Sequence, residues 1–289
     1  MEADAIVERV AAEFDASVDT IESLDGGLVG DVYRLDLTSG QQVVAKTGET
    51  PLSIEGRMLE YLRERTALPV PTVHAVDDTL LVMAYVSGCV GRETITPAVE
   101  RDIADGLAAL HTETAPRAGF HIDTLAGPIE QPNPWMDSWS EFFRIYRLEH
   151  VAEIARTAGD LPDSLYERIL GLASDLDTIL ADPPAYALLH GDVWFQNLIV
   201  DADAETVAAY IDPAIYYGHP EVELAYVDWT ETVGEAFYER YRDHRPIEAG
   251  FFDQRYPVYA LQKQLEQHWY FDRSTTEQRV DQYLDTLGY

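Results

Sequence analysis

The chain has 289 residues, 46% of them hydrophobic and 11% aromatic. This length predicts about two domains, and this composition excludes a disordered chain. The 52 acidic residues against 20 Lys and Arg give a net charge of −32, which disfavours nucleic acids and anionic membrane surfaces as partners. Only two basic residues are lysines, Lys46 and Lys263. Such an acid-rich, lysine-poor composition indicates a halophilic protein whose charge is screened by a salty cytoplasm.

The single cysteine, Cys89, cannot form an internal disulfide, which favours a reducing compartment. The N-terminus lacks the basic and apolar segments of a signal peptide. No apolar run approaches the roughly 18–20 residues that a membrane helix needs. We therefore expect a cytoplasmic protein without membrane partners, and its oligomeric state stays open.

Hydrophobic periodicity in the first part of the chain predicts a small, mostly antiparallel sheet with one inserted helix. Alternating apolar and polar residues predict strands on both sides of a turn at residues 38–40. Apolar residues at helical spacing predict the helices. The predicted elements are a helix at residues 6–14, strands at 31–37 and 42–46, a helix at 53–65, and strands at 73–76 and 80–86.

The pattern changes to helical periodicity after Gly88, with one β-like island at residues 188–211. This change predicts a sheet lobe of residues 1–87, a hinge near residues 83–88, and a helical lobe of residues 88–289. The cleft between two such lobes is the expected site. The predicted helices cover residues 97–110, 135–158, 161–180, 223–241 and 251–287.

The island brings three oxygen-bearing side chains together. Residues 198–200 and 207–211 are predicted to form a hairpin, because polar turn formers separate two short apolar runs. The hairpin places Asp212 beside Asn197, and these two oxygen ligands suit Mg²⁺. Asp192, on the loop that enters the hairpin, is then free to accept a hydroxyl proton and to direct that hydroxyl at phosphorus.

Phosphoryl transfer also needs groups that hold the phosphates. Residues 25–32 resemble a kinase glycine-rich loop, with Gly27 and Gly30 in place. Lys46 ends the next strand and could reach the α- and β-phosphates, while Glu55 on the following helix could orient its ammonium. Taken singly, these features also fit a plain hairpin turn, a surface lysine and a solvated glutamate. The H-G-D-x-x-x-x-N pattern followed by a hairpin and an aspartate is the part that chance explains poorly.

The sequence resembles the kinase-like phosphotransferases, the aminoglycoside and choline kinases, and within that group it most resembles the fructosamine (ketosamine) kinase family. Residues 190–197, HGDVWFQN, resemble the HGDLWSGN of that family, and residues 211–219, IDPAIYYGH, are similar to its IDPAxYYGH. The resemblance runs from about Leu24 to the C-terminus. It implies an α+β, two-lobed protein-kinase-like fold with a small antiparallel N-terminal sheet lobe, which binds nucleotide, and a mostly helical C-terminal lobe. The middle of the family pattern is repeated at Gly119, Phe120, Thr124, Gly127, Gln131, Asn133, Trp135, Trp139, Phe142, Phe143, Arg147 and Leu148.

The family implies an ATP-dependent kinase that uses ATP and Mg²⁺. Asp192 would be the catalytic base, and Asn197 and Asp212 would be the Mg²⁺ ligands. Lys46 and Glu55 would be the pair that holds the phosphates. The implied substrate is a ketosamine, a sugar with an amine on carbon 1, small or protein-bound, which is phosphorylated on its 3-hydroxyl. Such an enzyme would start the removal of sugars attached to proteins.

The resemblance also suggests where the adenine and the sugar bind. Residues 83–86 look like the inter-lobe hinge, where adenine would bond to the C=O of Ala84 and the N–H of Val86, beside Met83. An aromatic surface in an acidic cleft suits an amine-bearing sugar. The candidate substrate residues are Trp194, Tyr217 and His219. For Trp135, Trp139, Phe142 and Phe143, core packing is the preferred interpretation.

Three departures from the family pattern leave the acceptor open. Residues 195–196 are Phe-Gln where the family has Ser-Gly, Pro220 replaces an Arg, and Glu223 stands where an Asp commonly braces the catalytic loop. The first alternative is another hydroxylated amine, such as an aminoglycoside, a choline-like compound or a sugar alcohol. The second is a pseudokinase that binds nucleotide or a partner without transfer, which the intact Lys46 and Asp192 disfavour.

Overall fold

The N-terminal part of the chain is a five-stranded antiparallel sheet with the strand order β1-β2-β3-β5-β4. The computed structural model describes residues 2–24, 30–270 and 273–289. Within this part, the elements are α1 (Ala3–Phe14), β1 (Val18–Leu24), β2 (Gly30–Leu37), β3 (Gln42–Gly48), α2 (Leu52–Arg65), β4 (Val73–Val76) and β5 (Leu81–Ala84).

A separate apolar layer covers each face of this sheet, because successive side chains of a strand point to opposite faces. On one face Val43 packs in a cluster with Ile6 of α1. On the other face Val44 packs in a cluster with Leu59 of α2. Helix α2 also contributes Met58 to the large core of the C-terminal part. It therefore joins the two parts of the molecule and has a fixed position beside β3.

The C-terminal part is mostly helical and carries small sheets at its junction with the N-terminal sheet. A three-stranded sheet has the order β12-β9-β6, and β7-β8 and β10-β11 are two-stranded. The helices are α3 (Pro97–Leu110), α4 (Trp139–Phe143), α5 (His150–Gly159), α6 (Asp163–Ser174), α7 (Leu176–Ile179), α8 (Glu221–Trp229), α9 (Glu235–His244), α10 (Tyr256–Tyr270) and α11 (Arg273–Leu287). The strands are β6 (Thr114–Ala115), β7 (Thr124–Ala126), β8 (Ile129–Gln131), β9 (Tyr186–Leu189), β10 (Leu198–Asp201), β11 (Thr206–Tyr210) and β12 (Tyr216–Gly218).

The predicted α+β class, with an antiparallel N-terminal sheet and a helical C-terminal part, is confirmed. Helix α3 and strand β4 have the predicted bounds. Strand β1 was not predicted, because only three of its seven residues are even partly buried and they do not alternate. The predicted helix at residues 223–241 is instead two helices, since Glu231 adopts a left-handed φ of 51° between them. No helix in the described ranges is long and apolar enough to cross a membrane.

The aromatic residues of the middle pattern build the core, as predicted for all but one of them. Trp139, Phe142 and Phe143 are fully buried, whereas Trp135 is 36% exposed and precedes α4. The predicted helix at residues 135–158 therefore starts later, and it contains a π-helical segment, Arg144–Glu149. These side chains support the fold of the C-terminal part, and the candidate catalytic residues lie elsewhere.

Candidate active site

A cleft of about 810 Å³ separates the N-terminal sheet from the β10-β11 hairpin. Its walls include one face of β3, the end of β5, and the loops before β10 and after β11. Helices α8, α10 and α11 contribute a further wall. The predicted site residues that line this cleft are Gly30, Lys46, Glu55, Met83, Ala84, Val86, Asp192, Trp194, Asn197 and Asp212.

Lys46 lies at the centre of an ion triad that spans the cleft. Its Nζ donates to Glu55 Oε2 at 2.8 Å and to Asp212 Oδ1 at 2.7 Å. Burial by itself would lower the pKa of Lys46, but the two carboxylates outweigh it and raise that pKa above its ordinary value. The ammonium is therefore a fixed positive charge that joins the N-terminal sheet to the loop after β11.

The two carboxylates of the triad differ in their ionisation. Burial raises the pKa of Glu55 to about 7 against the attraction of Lys46, and Glu55 Oε1 is buried without a hydrogen-bond partner among the described residues. Burial also opposes ionisation of Asp212, but the Lys46 charge outweighs it and lowers the pKa of Asp212. Asp212 keeps 41% of its side chain exposed. One ammonium thus faces two carboxylates, and Asp212 is the one that remains accessible.

Asp192 is held at both of its carboxylate oxygens. The Tyr226 hydroxyl donates to Oδ1 at 2.5 Å, and Asn197 Nδ2 donates to Oδ2 at 2.8 Å. Burial raises the pKa of Asp192 to about 6, while the Tyr226 hydrogen bond acts in the opposite direction. These contacts fix the plane of a carboxylate that borders the cleft, which is what a general base needs.

Glu223 on α8 braces the loop that carries this carboxylate. Its two oxygens accept the backbone N–H groups of His190 at 2.9 Å and of Gly191 at 2.7 Å. Its Oε2 also lies 3.2 Å from His111 Nε2. Glutamate therefore performs the bracing at the position where the family pattern has aspartate.

The loop also depends on a glycine and a neutral histidine. Gly191 has a φ of +85°, and a Cβ there would lie 2.3 Å from the carbonyl oxygen of Ala214. Burial lowers the pKa of His190 to about 4, so its ring is uncharged at neutral pH. Its Nδ1 faces the N–H of Asp192 at 3.4 Å. His190 shapes the loop and does not line the cleft.

The end of β5 offers a backbone edge to the cleft. Ala84 is the last residue of the strand, and its N–H donates to the carbonyl of Thr72 at 2.8 Å. The N–H of Val86 has no hydrogen bond to any residue that the structure describes. Met83 adds an apolar side chain to the same wall. An open N–H beside an apolar surface suits the edge of an adenine ring.

The glycines near the cleft have mainly steric roles. Gly27 lies outside the described residues. A Cβ on Gly30 would lie 1.9 Å from the carbonyl oxygen of Thr47, so glycine allows β2 to begin directly against β3. A Cβ on Gly88 would lie 2.6 Å from the Ile199 side chain. Gly88 therefore allows the connection between the two parts of the chain to pack against β10.

The predicted substrate residues do not all reach the cleft. Trp194 lines it, but Tyr217 and His219 do not. Tyr217 is 3% exposed, and its hydroxyl lies 2.9 Å from that of Tyr61. The His219 ring packs beside Trp139, with ring centres 6.3 Å apart. Tyr217 lies on the buried strand β12 and His219 directly after it, so the two side chains support the core.

Sequence reasoning missed the helical wall of the cleft. Tyr226 and Trp229 of α8, Lys263 and Glu266 of α10, and Arg279 of α11 all line it. The Lys263 Nζ donates to Glu266 Oε2 at 2.9 Å and lies 4.9 Å from the centre of the Tyr226 ring. One signal could have found it, since Lys263 is the only lysine besides Lys46.

The hairpin residues fit Mg²⁺ bound together with a nucleotide. Because Asn197 Nδ2 is held by Asp192, the amide Oδ1 is left as a ligand. Asp212 contributes the second ligand, an exposed carboxylate. In the described part of the chain, no group of three or more His, Cys, Asp or Glu side chains could hold a metal ion. Two protein oxygens completed by phosphate and water is the donor set that Mg²⁺ usually has in kinases.

The fold combines a five-stranded sheet with a helical part, and the cleft between them holds a Lys–Glu pair opposite two aspartates and an asparagine. This combination defines a protein-kinase-like phosphotransferase. The solved structures of similar fold agree with this class. A crystal structure of a Thermobifida fusca protein described as a fructosamine-3-kinase has a TM-score of 0.84 and 24% sequence identity to this chain. The alignment covers 98% of this chain and all of that one. An aminoglycoside phosphotransferase in complex with ADP and hygromycin B has a TM-score of 0.70 and 16% identity, covering 98% of each chain.

The sequence comparisons identify the family within this class. The fructosamine kinase family model matches residues 3–287. The chain is 28% identical to the chloroplastic protein-ribulosamine 3-kinase of Arabidopsis thaliana, over 99% of this chain and 90% of the relative. It is also 28% identical to a protein of Escherichia coli assigned as a ketoamine kinase, over 86% and 85% of the two chains. The chain belongs to the fructosamine kinase family and is a phosphotransferase that acts on hydroxyl groups.

Proposed function

We propose that the protein transfers the γ-phosphoryl group of ATP to the 3-hydroxyl of a ketosamine, a fructosamine or ribulosamine adduct. Family membership and the names of the relatives support this substrate class. The observation that carries the chemistry is the juxtaposition, in one cleft, of Lys46 bound to Asp212 and of Asp192 bound to Asn197. A module that only binds a nucleotide needs no carboxylate held in this way.

The residues divide the work of one transfer step. The acceptor oxygen forms a bond to the γ-phosphorus as the bond from that phosphorus to the bridging oxygen breaks, and ADP leaves with the bond electrons. Asp192 accepts the hydroxyl proton and later releases it to water. Lys46, oriented by Glu55, holds the phosphates. Mg²⁺, when bound, neutralises phosphate charge, and Asn197 and Asp212 would hold it.

The proposal includes the arrangement around the nucleotide. Residues 1–87 would form the nucleotide lobe and residues 88–289 the catalytic and substrate lobe, with adenine on the backbone of Ala84 and Val86. All five strands of the first sheet lie before residue 85, which supports this division. A cytoplasmic location is also part of the proposal, and it rests on the single cysteine.

A comparison of acceptors tests the proposal. We expect the enzyme to release ADP with fructosyl-lysine or ribulosyl-lysine and to give a 3-phosphate visible by ³¹P NMR. The matched control acceptor is the 3-deoxy analogue, which lacks only the reacting hydroxyl and should give no product. Asp192→Asn should reduce turnover by roughly 100- to 10,000-fold and leave the dissociation constant for ATP nearly unchanged.

Other outcomes would decide against parts of the proposal. Turnover only with aminoglycosides, choline-like amines or sugar alcohols would keep the chemistry and remove the ketosamine. ATP binding without transfer to any of these acceptors would make the protein a pseudokinase. Full activity in Asp192→Asn would remove Asp192 from the role of base.

A further inference from the structure

Both lysines of the chain line the catalytic cleft, and the proposed transfer uses only one of them. Lys46 contacts the carboxylates beside the phosphate site. Lys263 lies on the opposite, helical wall. All other basic residues except histidine are arginines, so a lysine at this position is unusual for this chain.

The charge of Lys263 is held in a fixed place. The residue is 8% exposed, and its Nζ lies 2.9 Å and 3.3 Å from the two carboxylate oxygens of Glu266. Gln262 donates to the same carboxylate at 2.6 Å. Burial would lower the pKa of Lys263, but Glu266, together with Tyr216 and Asp192, outweighs burial and raises it. The side chain therefore stays cationic and has little freedom to move.

The Lys263 ammonium lies near the ring of Tyr226, and the hydroxyl of that ring binds Asp192, the proposed base. Lys263 Nζ is 4.9 Å from the centre of the Tyr226 ring, and the Tyr226 hydroxyl donates to Asp192 Oδ1 at 2.5 Å. Trp229 stacks on Tyr226 at an interplanar angle of 18°. A cation near an aromatic ring attracts its electrons, which makes the phenol a stronger hydrogen-bond donor. Ammonium, ring and carboxylate thus form one chain of contacts.

We propose that Tyr226 is a positioning residue for Asp192 and that Lys263 holds Tyr226 in place. Asn197 binds one oxygen of the Asp192 carboxylate and Tyr226 binds the other, so the two bonds together prevent the carboxylate from rotating. With Tyr226 lost, Asp192 would keep one bond and could turn away from the acceptor hydroxyl. The inference rests on the proposed function for the transfer step but not for the identity of the acceptor.

Tyr226→Phe removes only the hydroxyl and gives the first test. We expect kcat to fall roughly 10- to 100-fold, as for the loss of a hydrogen bond to a charged group, with the KM for ATP within about twofold of the wild type. The matched control is Tyr238→Phe, which removes a hydroxyl bound to Asp228 Oδ1 at 2.8 Å, away from the cleft. Both variants should lower the melting temperature by similar amounts, but only Tyr226→Phe should lower kcat.

Substitutions of Lys263 test the second part. Lys263→Arg keeps a cation beside the ring and should retain most of the activity. Lys263→Met should lower kcat by roughly 2- to 30-fold, the range expected for a lost cation–π contact. Because Lys263→Met leaves the buried Glu266 carboxylate without its cation, the double variant Lys263→Met/Glu266→Gln gives a second form without a buried charge, and it should show the same loss.

The outcomes separate this inference from the proposed function. An equal kcat in Tyr226→Phe and Tyr238→Phe, or a change confined to the KM for ATP, would overturn the positioning role. Full activity in the double variant would overturn the role of Lys263. If the wild type uses another acceptor, the ketosamine assignment fails and the same comparison is made with that acceptor. If the wild type uses no acceptor, the variants are compared by their slow transfer of phosphate from ATP to water, and kcat is measured for that reaction.

Discussion

Replacing Glu223 with glutamine tests how far the catalytic loop depends on one buried carboxylate. The wild-type side chain accepts two backbone N–H groups, from His190 at 2.9 Å and Gly191 at 2.7 Å. In the glutamine variant the amide oxygen can accept one of them, and the amide nitrogen faces the other. One buried N–H then lacks an acceptor, and the remaining bond loses its charge. Together these changes cost about 2–4 kcal/mol.

The loss should be visible in stability and in activity. For a chain of 289 residues we expect the melting temperature to fall by roughly 3–7 °C, measured by differential scanning calorimetry. Turnover should also fall, because Asp192 follows the two residues that the carboxylate holds. Glu223→Asp keeps the charge on a side chain one methylene shorter and should lose less than Glu223→Gln. Glu239→Gln, on the exposed side of α9, is the control for removing a negative charge.

The pH dependence of this difference has a definite sign. Burial opposes ionisation of Glu223, but His111 and the backbone N–H groups outweigh it, and its pKa is lowered on folding. A lowered pKa stabilises the folded state above the ordinary pKa of glutamate, and this stabilisation is lost as the pH falls through the folded value. The gap between wild type and Glu223→Gln should therefore be largest at neutral pH and shrink in acid. Equal melting temperatures at pH 7, or a gap that widens in acid, would refute the bracing role.

Three further predictions concern the phosphate site, the loop and the net charge. Lys46→Met should weaken ATP binding roughly 10- to 100-fold by calorimetry, and unchanged binding would remove Lys46 from the phosphate site. Gly191→Ala should destabilise the fold more than Gly40→Ala. Both glycines have a positive φ, but only at Gly191 would the added Cβ lie 2.3 Å from a backbone oxygen. Equal melting temperatures of the two variants would contradict this. Raising KCl from about 0.05 to 1 M shortens the Debye length several-fold, so the melting temperature should rise and ATP should bind more tightly, whereas the binding of uncharged adenosine should not change. A melting temperature independent of salt would contradict the halophilic interpretation.

Local patterns in the sequence predicted the part of the site that short stretches of chain build. Asp192 and Asn197 are five residues apart and bond directly, and the β10-β11 register places Asn197 opposite the residue before Asp212. The contact between Lys46 and Asp212 joins residues 166 positions apart. Periodicity alone cannot predict such a contact, and the expectation that both residues serve one nucleotide came from the kinase-like motifs in which they lie.

The family resemblance did not show which side chains of its motifs line the cleft. The YYGH motif contains Tyr217 and His219, but a motif does not show which way its side chains face. The pairing of β12 with β9 decides this for Tyr217, whose hydroxyl contacts Tyr61 within the structure. Tyr226, which does line the cleft, lies on a nearly fully buried helix with no polar face to identify it from the sequence.

The rarity of lysine carries information that a motif search does not use. In a chain of net charge −32, long-range repulsion of ATP is large at low salt, and only cations inside the cleft can offset it at close range. In the proposed function Lys46 would offset it at the phosphates, and its two carboxylate partners prevent it from being an uncompensated charge. Lys263 is paired with Glu266 and faces the Tyr226 ring, and its charge also acts on Asp192. We therefore expect different roles on opposite walls, with Lys46 at the phosphates and Lys263 at Tyr226. Substitution of Lys46 should mainly weaken ATP binding, and substitution of Lys263 should mainly lower turnover.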